Sequence, residues 1–171
     1  MKGSIQVFTG NGKGKTTSAL GLIPAVLGEG KKVFLGQFLK SGKYSEMDAL
    51  RQFPDQITVE HYGLGKFVKG CPSEEDKSAG RQGYEKICDI LRKGVHDLVI
   101  MDEGNMAVKY EIISERALLD LFSMKPDHVE LVVTGRGATP AVIDKADRVV
   151  EMHPEKHYYQ KGVKARVGIE K

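Results

Sequence analysis

Three short clusters in this chain carry residue types able to handle a polyphosphate. The first is Thr9-Gly10-Asn11-Gly12-Lys13-Gly14-Lys15-Thr16-Thr17, which directly follows the apolar run Ile5-Gln6-Val7-Phe8. Glycines at this density let a backbone curl round an anion with successive N–H groups, and a helix starting at Lys15 turns its positive end to the same anion. Lys15 adds a full charge, Lys13 sets a second cation beside the phosphates, and the Thr16 hydroxyl is placed to ligate Mg²⁺. In the usual spacing G-x-x-x-x-G-K-S/T the first glycine falls on Thr9, so either Thr9 replaces it or the loop is one residue shorter and starts at Gly10. The ligand class implied is a nucleoside triphosphate; the loop does not name the reaction.

The second cluster is Asp102-Glu103, closing the run Asp97-Leu98-Val99-Ile100-Met101. Asp102 is expected opposite Thr16 as the acid that holds Mg²⁺ directly or through water. Glu103 has two readings: it activates water in an ATPase, or it is a second metal or phosphate-shell group in a transferase whose nucleophile needs no deprotonation. The third cluster, Thr134-Gly135-Arg136-Gly137, ends another apolar run, and its arginine could clamp a phosphate with two parallel hydrogen bonds. The candidate catalytic residues are thus Lys15, Asp102, Glu103 and Arg136. Nucleotide contacts are expected from Thr9 through Thr17 and from Arg136, and metal ligation from Thr16 and Asp102. Gln37, Lys40 and Ser41-Gly42-Lys43, after the run Val33-Phe34-Leu35-Gly36-Gln37-Phe38, are further candidates for the rim.

The elements that must position these clusters alternate along the chain. Strands are expected over 4–9, 33–38, 57–61, 97–103, 129–134 and 148–152. Helices are expected over 15–27, kinked by Pro24, over 45–53 before Pro54, from Ser73 as N-cap to about Lys93, over 114–123 and over 140–145. Strands that are apolar throughout and separated by helices predict a parallel sheet of five to six strands covered on both faces, with ligands at the carboxyl ends of the strands. All three clusters fall at such ends. The expected fold is α/β of the P-loop NTPase, RecA-like type. Residues 1–171 form one nucleotide-binding domain, with 153–171 as a C-terminal arm that crosses the site or an interface.

At 171 residues the chain can bury a core without metals or disulfides, and 40% hydrophobic with 29% charged residues argues against disorder. A net charge of +3, with lysines scattered rather than striped, is too small to imply nucleic acid. Cys71 and Cys88 have no zinc-ligand spacing and read as reduced thiols of a cytoplasmic protein. No export signal or apolar run of spanning length is seen.

Together the motifs resemble the P-loop ATP:corrinoid adenosyltransferases, the cob(I)yrinic acid a,c-diamide or cob(I)alamin adenosyltransferases of cobalamin biosynthesis. The resemblance covers nearly the whole chain: the Thr9–Thr17 loop, Gly28-Glu29-Gly30-Lys31-Lys32-Val33, Gln37-Phe38-Leu39-Lys40, the run to Glu103, Thr134-Gly135-Arg136-Gly137-Ala138 and Ala146-Asp147. The closing segments Glu151-Met152-His153-Pro154-Glu155-Lys156-His157, Gly162-Val163-Lys164-Ala165 and Gly168-Ile169-Glu170 are similar as well. The resemblance implies ATP and a reduced corrinoid as substrates, attack of cobalt(I) on C5′ of ATP, and expulsion of triphosphate. It further implies Mg²⁺, a flavoprotein reductant and a homodimer.

Two positions depart from the family pattern. The aromatic Gly-Phe-Thr-Trp-like stretch corresponds here to Tyr62-Gly63-Leu64-Gly65-Lys66-Phe67-Val68, and Gly104 stands where an apolar residue is usual. The loop 63–70 is expected to close over the corrin with Phe67 as its apolar face, and Gly104 to loosen the loop after the acids. Two other classes share the first motif: an ATPase or small-molecule kinase, which would release ADP, and an ATP-gated binding module without appreciable turnover. A GTPase is disfavoured because no Asn-Lys-x-Asp segment occurs.

Overall fold

The computed structural model of the chain describes residues 2–40, 44–64, 71–156, 162 and 165–169. Ser41, Gly42 and Lys43, the loop 65–70 with Phe67, and residues 157–161, 163–164 and 170–171 of the 153–171 arm lie outside the described residues.

The six strands are β1 (Ile5–Thr9), β2 (Val33–Phe38), β3 (Ile57–Tyr62), β4 (Leu98–Asp102), β5 (Glu130–Thr134) and β6 (Arg148–Glu151). They form one sheet in the order β3-β2-β4-β5-β1-β6. Every pairing is parallel. Side chains of a strand alternate between faces, so a run that is apolar at every position must bury both. That alternation is visible here. Val7, Phe34, Val99, Met101, Leu131 and Val133 belong to one core, packed with Ile87 and Leu91 of α4 (Glu74–Lys93) and Leu118, Leu121 and Phe122 of α6 (Glu115–Met124). Phe8, Val33, Leu35, Leu98, Ile100 and Val132 belong to the other, packed with Ala19 of α1 (Lys15–Leu20), Ile23 of α2 (Ile23–Gly28) and Met47 of α3 (Ser45–Leu50).

The expected kinked helix over 15–27 is in fact two helices. α1 ends at Leu20 and α2 restarts at Ile23 with Pro24 in its first turn. Inside a continuous helix Pro24 would cost about 3 kcal/mol, because it lacks an N–H and its ring collides with the carbonyl four residues earlier. In a first turn that N–H has no partner to lose. α4 begins as its sequence dictates: Ser73 accepts the Asp76 N–H, and the Asp76 carboxylate accepts the Ser73 N–H, a closed capping box.

Helix α5 (Gly104–Lys109) has no counterpart in the expected elements. Its six residues are too few for a hydrophobic period to register. Its start also corrects the reading of Gly104. A Cβ there would lie 2.8 Å from Met101 Cγ and 2.9 Å from Val133 Cγ1, so the glycine lets α5 press on the sheet rather than loosening the chain. α7 (Pro140–Lys145), capped by Thr139, delivers the chain to β6. Asp147 docks β6 on the edge of β1: Ile5 N–H donates to its carboxylate at 2.7 Å, and its own N–H donates to the Ile5 carbonyl at 3.0 Å.

Candidate active site

The loop between β1 and α1, the ends of β2, β4 and β5, and the residue after β6 meet at the carboxyl edge of the sheet. Thr9 is still strand, and the chain turns at Gly10 with φ 90°. A Cβ on Gly10 would stand 2.5 Å from the Met152 carbonyl oxygen, so this position needs glycine on both conformational and steric grounds. This geometry favours the shorter loop that starts at Gly10. Met152 grips it from the far side: its N–H donates to the Thr9 carbonyl at 2.9 Å, and its carbonyl accepts the Gly12 N–H at 2.6 Å. The Thr9 hydroxyl, buried, accepts the Ala138 N–H at 3.2 Å, tying the loop to the segment after Arg136.

Lys15 reaches back over the loop, its ammonium donating to the carbonyls of Gly10 at 2.8 Å and Gly12 at 2.6 Å. Burial lowers its pKa, helped by the positive charges of Arg136 and Lys40 and opposed by Glu103. Asn11, Lys13 and Thr17 are exposed along the loop and the start of α1.

Asp102 is the centre of the cluster and is completely buried. Its carboxylate accepts from Thr16 Oγ1 at 2.9 Å, Thr134 Oγ1 at 2.6 Å, Gln37 Nε2 at 3.0 Å and Lys40 Nζ at 2.6 Å. Burial alone would raise the carboxyl pKa, but the charge and hydrogen bond of Lys40, with those from Thr134 and Thr16, outweigh it and hold Asp102 below its ordinary value. Lys40 shows the reciprocal balance. Burial pulls its pKa down, and Asp102 and Glu103 pull it further up.

Glu103 follows with φ 59°, a left-handed conformation unusual for a side chain of this size, and its carboxylate lies 3.8 Å from Lys40 Nζ. Its N–H donates to Thr134 Oγ1 at 3.0 Å. Burial raises its pKa, the Lys40 charge counters, and Asp102 raises it again, for a net rise. Arg136 is exposed on the rim. With Leu39, Lys40, Tyr44, Glu103, Met106 and Tyr110 it lines a cleft of about 230 Å³. That volume falls short of the roughly 300–1,000 Å³ of sites that swallow a small ligand whole, so the cleft seats one part of a larger molecule.

The sequence-derived residues Thr9, Gly10, Gly12, Lys15, Thr16, Asp102, Glu103 and Arg136 therefore surround one edge of the sheet. Gln37 and Lys40, read only as rim candidates, sit inside the Asp102 network instead. Gln37 carries a sequence signal, an amide within an otherwise apolar strand, and the structure buries it completely. Asn105, whose side chain donates to the Gly135 carbonyl at 3.0 Å, and the aromatic wall of Tyr44 and Tyr110 were not anticipated. They stand on α5 or near short helices, where no local pattern marks them. Among the described residues no group of three or more His, Cys, Asp or Glu side chains is assembled to hold a metal. No helix there is long and apolar enough to cross a membrane.

An all-parallel α/β sheet with a glycine-lysine-threonine loop joining its first strand to its first helix, opposite an acid at the end of a neighbouring strand, has the P-loop NTPase fold. Within that class the comparisons are specific. The family model for ATP:corrinoid adenosyltransferase BtuR/CobO/CobP matches residues 1–170. A corrinoid adenosyltransferase of Pseudomonas aeruginosa is 34% identical over 171 residues, covering 99% of this chain and 84% of its own. Corrinoid adenosyltransferases of Escherichia coli and Salmonella typhimurium are each 32% identical over 169 residues, covering 99% of this chain and 86% of theirs. The chain belongs to the ATP:corrinoid adenosyltransferase family. It is a transferase, and its reaction is adenosyl transfer from ATP to a reduced corrinoid.

Proposed function

We propose that the loop from Thr9 to Thr17 holds the triphosphate of ATP as a leaving group while a corrinoid cobalt(I) attacks C5′ from the cleft side. The cobalt electron pair forms the Co–C bond as the C5′–O bond breaks, and the bonding pair of that oxygen departs with inorganic triphosphate. Negative charge accumulates on the leaving group, so cations and N–H dipoles already fixed around it lower the barrier. Lys13, Lys15 and Arg136, with the amides of Gly10, Asn11 and Gly14, take that role. The observation that carries the reading is the approach of Thr16 and Asp102 to 2.9 Å, with the Lys15 ammonium drawn over the loop onto the Gly10 and Gly12 carbonyls, in a member of this family.

The same pair fits Mg²⁺. A hydroxyl and an ionised carboxylate are hard oxygen donors, and two protein donors leave the remaining positions to phosphate oxygens and water, as this ion prefers. When bound, Mg²⁺ neutralises part of the triphosphate charge. Cobalt(I) is already a strong nucleophile and needs no general base. Glu103 accordingly belongs to the outer phosphate or metal shell rather than to water activation. Leu39, Tyr44, Met106 and Tyr110 offer the corrinoid an apolar margin, and the protein's part there is orientation and exclusion of water. A flavoprotein that delivers cobalt(I) and a homodimeric assembly complete the reading, the latter checked by sedimentation.

The test is an anaerobic incubation with Mg-ATP and chemically reduced cobalamin. A light-sensitive Co–C spectrum with one triphosphate per corrinoid is expected. Release of ADP or phosphate without a corrinoid change would overturn the leaving-group role of the loop.

A further inference from the structure

Lys40 stands where this reading puts the metal. Its ammonium lies 2.6 Å from Asp102 Oδ2 and 3.0 Å from Thr16 Oγ1, the two side chains assigned to Mg²⁺, and 3.8 Å from Glu103. Asp102 is fully buried and Lys40 is 16% exposed. An ionised carboxylate without a counter-charge is strongly disfavoured at such depth, and in the nucleotide-free protein Lys40 provides it. Mg²⁺ binds oxygen at about 2.0–2.1 Å, so an ion on these two groups would sit almost on the ammonium nitrogen. The ammonium and the divalent ion exclude each other by both volume and charge.

We propose that Lys40 is a resident cation of the Thr16–Asp102 site, so that the divalent ion enters only together with nucleotide, the ammonium being displaced onto the incoming phosphates. The inference rests on the metal assignment above and adds an order of events to it. The path of displacement is short. The Tyr44 ring centroid is 5.7 Å from the ammonium on the cleft side, and Arg136 lines the same cleft. The backbone does not need to move. Leu39 N–H donates to the Tyr62 carbonyl at 3.1 Å, and Gly63 packs so closely that a Cβ would meet Lys40 N at 2.6 Å. Leu39 itself, at φ 58°, aims the next side chain into the sheet edge. Exchange is therefore a rotation of one flexible side chain about a pinned backbone, and Lys40 acts as a positioning residue for metal and phosphate.

The experiment is a Mn²⁺ titration of the full chain at fixed ionic strength, with free Mn²⁺ read by electron paramagnetic resonance, without corrinoid. Wild-type protein should acquire its Asp102-dependent site only after ATP is added. Lys40→Met should bind Mn²⁺ without nucleotide at least about tenfold more tightly than wild type, since the competing charge is gone. Lys40→Gln, which keeps a donor to Asp102, gives the same readout should the methionine variant fail to fold. The melting temperature adds a second measure: Mn²⁺ alone should raise it in the variants and leave wild type unmoved. If nucleotide-free wild type binds Mn²⁺ as tightly as the variants, and Asp102→Asn abolishes that binding, Lys40 is not a resident cation while the metal site stands. If Asp102→Asn leaves Mn²⁺ binding unchanged even with ATP present, the metal assignment fails, and the inference fails with it.

Discussion

On the loop side of the cleft, Asp102 is wholly buried and takes hydrogen bonds from Thr16, Gln37, Lys40 and Thr134, side chains carried by α1, the end of β2 and β5. In the cleft itself, Leu39, Tyr44, Met106 and Tyr110 are part of the lining, together with Arg136. The first side is a satisfied polar network in low dielectric, where each member depends on the others and removal of one strands a charge. The second is a wall of mostly apolar contacts, where each residue contributes its own area and little else. Disturbance of the phosphate side should therefore be steep and cooperative, and disturbance of the cleft wall graded and selective for one substrate.

The sharpest way to break the contrast is Asp102→Asn. Leaving the Lys40 ammonium without its carboxylate should cost about 3–5 kcal/mol, measured by urea denaturation. Loss of the proposed metal and phosphate arrangement should slow single-turnover adenosylation by roughly 10²–10³. A variant that retained wild-type turnover would remove Asp102 from the chemistry.

Gly10→Ala attacks the same side through the backbone. A left-handed turn forced on alanine costs on the order of 1–3 kcal/mol, and its methyl must also push back the Met152 carbonyl. The expected results are a lower denaturation midpoint and ATP affinity down about tenfold, one decade for each 1.4 kcal/mol of strain relieved only in the unbound loop. Calorimetric titration with Mg-ATP checks it.

Tyr110→Ala sharpens the other arm. Removing one aromatic contact worth about 1–2 kcal/mol should raise the KM for the corrinoid several-fold while the KM for ATP stays unchanged. Equal changes in both constants would mean that the two walls are not separable.

The smallest effect is expected far from either wall. His96 packs edge-on against Phe34 with centroids 5.7 Å apart, and burial first, then the Lys32 charge, lower its pKa despite Asp97. Its folded pKa thus lies below the unfolded 6.5, and below that pH the unfolded chain binds the extra proton. Stability contributed by neutral His96 is complete above pH 6.5 and declines as the pH falls toward the folded value. Replacing His96 with Phe should flatten the melting temperature between pH 6.5 and 5 and leave catalysis unaltered, as melting curves across that range would show.

Much of the phosphate side is legible along the chain because its parts are local. A glycine loop needs consecutive residues, a strand end needs an apolar run before it, and the capping box of α4 needs Ser73 three residues before Asp76. The cleft wall proposed to face the corrinoid was not legible in that way. Tyr44, Met106 and Tyr110 come from segments with no shared period, and one of them lies on a helix too short to be recognised. Pro24 was read as a kink and is a restart, since a proline is better placed in a first turn than inside a helix. Gly104 was read as slack and is a close packing contact, which only its neighbours Met101 and Val133 define.

The parallel sheet, the Gly-Lys-Thr loop, the acids at the end of the fourth strand and the family resemblance are all legible along the chain, because each is written in contiguous residues or a short period. Tertiary structure alone decided that Met152, some 140 residues downstream, closes the loop begun at Gly10. It also decided that the Lys40 ammonium reaches both Thr16 Oγ1 and Asp102 Oδ2. Those contacts depend on strand order and register, which bring β6 beside β1 and β2 beside β4, and distances across a sheet leave no trace in spacing along a chain.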